Sequence, residues 1–151
     1  MQIRSRGNNV FGYAVVWDME GGLPPSREVF LRDSVDFDDD TLLLYSHKPD
    51  QILGRTSSGT LRVETDEVGA FFECELPNTN LASDIKELVT RGDIRGASFG
   101  FHSEDEEMRG ATRVIKKAKV KEISLVSLPF YEANKSVSLR FREIRTWKAL
   151  V

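Results

Sequence analysis

A chain of 151 residues with 40% hydrophobic and 30% charged content has the size and make-up of one globular domain with a sizeable core. Its net charge of −3 offers nucleic acid no overall basic field, and no stretch reaches the roughly 18 apolar residues of a membrane span. The single cysteine, Cys74, excludes an intramolecular disulfide and a cysteine-built zinc site, and Met1 to Val10 lacks the apolar core of a signal peptide, so the expected setting is intracellular.

Phe11 to Trp17 predicts a first strand, because Val15, Val16 and Trp17 are β-formers. Gly21-Gly22-Leu23-Pro24-Pro25 predicts a loop, and Arg27 to Leu31 a short strand. Asp18 to Asp40 is acid-rich, whereas Lys135 to Lys148 is mostly basic; such blocks are read as solvated faces, with an assembly contact as the second reading. The apolar run Leu42-Leu43-Leu44-Tyr45 delivers His47 at its end, and Lys48-Pro49-Asp50 is expected to turn the chain, since proline cannot continue a sheet ladder. Ile52 to Thr56 resumes the strand, Ser57-Ser58-Gly59 predicts a hairpin turn, and Thr60 to Glu64 the return strand.

Ala70 to Leu76 alternates, with Ala70, Phe72, Cys74 and Leu76 on one face and Glu73 and Glu75 on the other, and Pro77 closes it. The period then changes. Leu81, Ile85, Leu88 and Val89 form one stripe of a helix, with Asn78, Thr79 or Asn80 as its cap and Gly92 just past its end. Ile94 to Phe101 opens a strand at this helix-to-strand junction, and His102 to Glu107 is expected to be a polar connection. Arg113 to Lys119 predicts an exposed strand and Val120 to Leu128 a stronger one, stopped by Pro129. Beyond Asn134 both a strand (Val137, Leu139, Phe141) and a helix (Ile144, Trp147, Val151) stay open. The sum is a single β-rich α+β domain over residues 1–151, of about six to eight strands and one helix, with 135–151 as an extension of undecided packing.

The candidates for chemistry are few. Ser98 stands between Ala97 and Phe99 and is flanked by Gly96 and Gly100, small neighbours that let another backbone approach. A core strand is the plain reading of that stretch, and a nucleophilic serine the sharper one. The chain has two histidines to serve as its base. His102 on an extended strand lies about 13 Å along from Ser98, too far for proton transfer. His47 at its turn is the better base, or else a structural histidine. Glu122 inside an apolar run needs a partner if buried. It orients an imidazole, pairs with Lys119, Lys121 or Arg113, or faces solvent; Asp50 is the second candidate to orient His47. Metal-ligand spacing and a phosphate-cradling glycine loop are both absent from the sequence, so no cofactor or metal is expected.

Three segments in order carry a resemblance: His47-Lys48-Pro49-Asp50-Gln51-Ile52-Leu53-Gly54-Arg55, then Arg91 to Phe101 with Gly96-Ala97-Ser98-Phe99-Gly100-Phe101, then Lys121-Glu122-Ile123-Ser124-Leu125-Val126-Ser127-Leu128-Pro129. Together they resemble the prohead proteases of tailed bacteriophages, capsid-maturation serine proteases related in fold to the herpesvirus assemblins. The resemblance implies a herpesvirus-protease-like β-barrel with a few helices. It implies a serine endopeptidase with His47 as general base, Ser98 as nucleophile and Glu122 as third member. The oxyanion and substrate backbone would meet Ala97, Phe99 and Gly100, with Arg95 assisting. Its substrates would be major capsid protein and scaffold segments, and its own chain, inside the assembling prohead in the host cytoplasm. No nucleic-acid or membrane partner is expected, and homo-oligomerisation stays open. The rival is a non-catalytic scaffold or assembly domain that keeps the protease fold.

Overall fold

Alternating apolar and polar residues build two sheets in the computed structural model, which describes residues 3–22, 25 and 27–128. In chain order the elements are β1 (Arg4–Arg6), β2 (Asn9–Val16), β3 (Glu20–Gly21), β4 (Arg27–Phe30), β5 (Val35–Tyr45), β6 (Lys48–Arg55), β7 (Leu61–Thr65), β8 (Gly69–Glu75), α1 (Asn80–Arg91), β9 (Gly96–Arg109) and β10 (Thr112–Val126). The first sheet has the order β1-β2-β8-β7 and is antiparallel throughout. The second is organised around β10. One edge of β10 takes β9 along its whole length, antiparallel. The other edge takes β4 and then β5, both parallel, with β3 outside β4 and β6 outside β5.

The β-rich, one-helix reading therefore holds for the described residues, but the expected barrel does not. Both sheets are open in their strand pairing. The second sheet curls instead. Phe30 is registered beside Ile115, and Phe99 beside Ile123. A straight β10 would put those registers about 26 Å apart, yet the two rings meet edge-on with centroids 5.2 Å apart. Register shifts at Ile115/Lys117, Lys117/Ala118 and Val120/Glu122 are where β10 bends to allow this. The curl fills its concave face with Phe30, Phe99 and Phe101, and Phe101 lies 5.0 Å from Phe30.

Between the sheets lies one large apolar cluster that includes Val10, Phe72, Cys74, Leu43, Ile115, Ile123 and Leu125. The predicted inward face of β8 is in it. Phe71, pointing the other way, joins Phe11, Tyr13 and Val68 in a second cluster. The helix follows its sequence signals. Thr79 caps it by accepting the Ala82 N–H at 3.2 Å, Gly92 ends it at φ 85°, and Ala82, Ile85 and Val89 are its buried stripe.

Four local expectations change. His102 to Glu107 is not a connection but the middle of β9, and Arg113 to Lys119 joins Val120 to Val126 in a single β10. Those residues are polar because the far end of the β9–β10 hairpin is held by cross-strand ion pairs, such as Lys117 with Glu104 at 3.0 Å and Lys116 with Asp105 at 3.3 Å. Ser57 to Gly59 is a turn but joins no hairpin: β6 stays with β5 while β7 crosses to pair with β8 in the other sheet. The turn expected at Lys48-Pro49-Asp50 falls earlier, at Ser46-His47. Pro49 sits inside β6, an edge strand, where the pairing slips between Tyr45–Lys48 and Leu44–Ile52 and a missing N–H costs no ladder bond. Pro129 and the undecided segment beyond Asn134 lie outside the described residues.

Candidate active site

The central strand β10 holds the site on both its edges. Glu122 and Ser124, two apart, project from the same face of β10. Across one edge Ser124 stands opposite Ser98, and Glu122 opposite Gly100. Along the other edge Leu42 to Tyr45 of β5 runs beside Glu122 to Leu125 and carries the chain into its turn.

That turn consists of two residues, Ser46 and His47, at φ 54° and 57°. Tight hairpins need this left-handed pair to match strand twist, and Asn-Gly usually supplies it. Here neither residue is glycine, at a cost on the order of 1–2 kcal/mol each. Two bonds from β10 hold the turn down. The Ser46 N–H donates to the Leu125 carbonyl at 3.1 Å, and the His47 N–H to Ser124 Oγ at 2.9 Å.

The imidazole so placed meets a carboxylate. His47 Nδ1 lies 2.5 Å from Glu122 Oε1, and the Ser124 hydroxyl donates to Glu122 Oε2 at 2.8 Å. The glycine opposite makes room for this carboxylate: a β carbon on Gly100 would sit 2.8 Å from Glu122 Oε1. With Nδ1–H given to Glu122, the other ring nitrogen, Nε2, is the one left as proton acceptor. The His47 side chain is 44% exposed and that of Glu122 19%, so the pair lies at a surface with its carboxylate turned inward.

His47 and Ser98 open onto one cleft of about 490 Å³, also lined by Glu28, Phe99, Phe101 and Val126. Ser98 is 9% exposed and reaches solvent there. A base on its carboxylate and a serine on the same cleft are the parts of acyl-transfer chemistry.

A family model described as caudovirus prohead serine protease matches residues 1–149. The chain belongs to that family. No curated protein and no solved structure matches it significantly.

Against the expectations for a prohead protease, His47, Ser98 and Glu122 come together around β10, and Glu122, not Asp50, touches the His47 ring. The pairings of Glu122 with Lys119, Lys121 or Arg113 are not formed; Arg113 binds Glu28 and Glu106. His102 lies beside Lys119, away from the cleft. Of the expected substrate contacts, Phe99 lines the cleft, whereas among the described residues Ala97 and Arg95 do not. Ala97 is buried in the core, and Arg95 is exposed with its carbonyl accepting the Ile3 N–H at 2.9 Å. Gly100 backs Glu122. Cys74 is a packing residue, its thiol pushed up to about 12 by burial.

Two residues of the site were not singled out from sequence. Ser124 had a usable signal, the two-residue spacing from Glu122 that puts both on one face. Glu28 had none: it reaches the cleft because the sheet curls. Burial there raises its carboxyl above the usual range, opposed by Arg113, whose guanidinium pairs with it at 3.3 Å.

Proposed function

We propose that this chain is a serine endopeptidase that cleaves capsid-protein and scaffold segments, and its own chain, inside the assembling prohead. Ser98 Oγ attacks the scissile carbonyl carbon while His47 Nε2 takes its proton. The C–N bond then breaks as His47 returns the proton to the leaving amine, and water hydrolyses the acyl-serine ester by the same path. Glu122 fixes the ring's tautomer and compensates its charge while the proton is held. The oxyanion falls to backbone N–H groups of β9. Alternate N–H groups of a strand point away from its partner, and on that outer edge β9 pairs with no strand among the described residues.

The observation that carries this reading is the 2.5 Å contact between His47 Nδ1 and Glu122 Oε1, on a histidine that shares a cleft with Ser98. Membership of the prohead protease family supports capsid-related protein as the substrate class and the prohead interior as the place of action. The test is Ser98→Ala with a capsid-protein substrate and a fluorophosphonate probe. Cleavage and labelling are both expected to vanish with the melting curve unchanged, and His47→Ala should abolish labelling of an intact Ser98. Processing that survives in Ser98→Ala would refute the assignment.

A further inference from the structure

We propose that Ser124 is a positioning residue that locks the catalytic histidine and its carboxylate into one unit; this rests on the protease reading above. Ser124 is completely buried and touches both partners through one oxygen. Its hydroxyl proton goes to Glu122 Oε2 at 2.8 Å, and its lone pair takes the backbone N–H of His47 at 2.9 Å. A hydroxyl has one donor and two acceptor sites, so both bonds form at once. The first bond stops the carboxylate from rotating off Nδ1. The second stops the turn, left-handed at two non-glycine residues, from relaxing away from β10.

The arrangement explains why a serine stands here. An alanine would pack as well between its buried neighbours but would leave the His47 N–H and one Glu122 lone pair without this partner. Its backbone is registered directly opposite Ser98, so the strand position that holds the histidine also indexes the nucleophile. Nucleophile, base and carboxylate thus share one reference point, as preorganised catalysis requires.

The test uses Ser124→Ala, which removes the hydroxyl, and Ser124→Cys, which keeps its place filled but donates weakly. Two readouts are taken on the full chain: the rate constant for fluorophosphonate labelling, and the far-downfield proton resonance of a histidine Nδ1–H held by a carboxylate. Both variants are expected to label about 10–100-fold more slowly, the scale set by misplacing a reacting group by up to 1 Å, and to lose or broaden the downfield proton. Labelling within twofold of wild type with that proton intact overturns the proposal, as does full activity in Ser124→Cys, which would make volume rather than hydrogen bonding the cause. Should Ser124→Ala fail to fold, Ser124→Cys decides. On a Glu122→Gln background Ser124→Ala is expected to cost less than in wild type, the remaining cost reporting the bond to the His47 N–H, whereas undiminished additivity would count against action through Glu122. If wild-type protein takes no label, the protease reading fails. The downfield proton then still judges the lock on its own: loss in Ser124→Ala upholds it, retention overturns it.

Discussion

Replacing Gly100 by alanine tests the site from behind, at the residue that backs the Glu122 carboxylate. The new β carbon would lie 2.8 Å from Glu122 Oε1, 3.2 Å from Cγ and 3.4 Å from Cδ. Comfortable contact between heavy atoms needs about 3.5 Å, so the carboxylate must retreat by roughly half an ångström or more. The β9 backbone is held on both sides of this position, Phe99 opposite Ile123 and Phe101 opposite Val120. The movement falls on the Glu122 side chain, which holds His47 at 2.5 Å and Ser124 at 2.8 Å, and both bonds lengthen. A displacement of this size is expected to slow labelling of Ser98 by about 10–100-fold, or about 1.4–2.7 kcal/mol of barrier. Overpacking should also cost about 1–3 kcal/mol of stability. The assay is the fluorophosphonate rate constant beside a urea melt. Gly92→Ala is the control: it strains the helix cap at φ 85° and should lower stability without touching the rate. A folded Gly100→Ala protein that labels within twofold of wild type would refute the claim that the Glu122 position governs the reaction.

Phe30→Ala removes the ring on which the curled sheet closes against Phe99 and Phe101, and should cost about 3–5 kcal/mol, read by urea unfolding; slower labelling should accompany it, because Phe99 and Phe101 line the cleft. Glu28 gives a pH signature. Its carboxyl is raised above 4.5, chiefly by burial, so the stability it contributes is present below pH 4.5 and is lost as pH rises through its raised value. Glu28→Gln removes that dependence, and the variant should gain on wild type as pH climbs through this window in a urea-melt series. A difference that shrinks with rising pH would mean that Arg113 outweighs burial.

What sequence made legible was whatever a short window determines. The helix stripe, its Thr79 and Gly92 caps and the alternation of β8 are local patterns, and the structure keeps them. The apolar run ending near His47 likewise marked the turn to within a residue or two. Strand limits escape a short window where partners decide the outcome. Pro49 stays in a strand because β6 lies at the edge of its sheet, and Glu104 to Glu107 stay in one because Arg113, Lys116 and Lys117 face them. Polarity alone cannot separate a loop from a strand whose charges are paired across the ladder. The approach of Glu28 to the cleft and the clearance at Gly100 depend on the bend and register of β10, which no window of sequence contains.

Because every member of the site leans on β10, order of synthesis acquires a meaning. The bonds from Ser124 and Glu122 to His47 span 77 and 75 residues. A nascent chain already carries His47 and Ser98 before β10 emerges, and the strand that lies between β5 and β9 is the last of those described to leave the ribosome. Until it inserts, β5 and β9 have no common neighbour, and the histidine has neither its carboxylate nor its place beside the serine. On the proposed protease reading, the growing polypeptide would therefore carry no assembled catalytic site until β10 is in place.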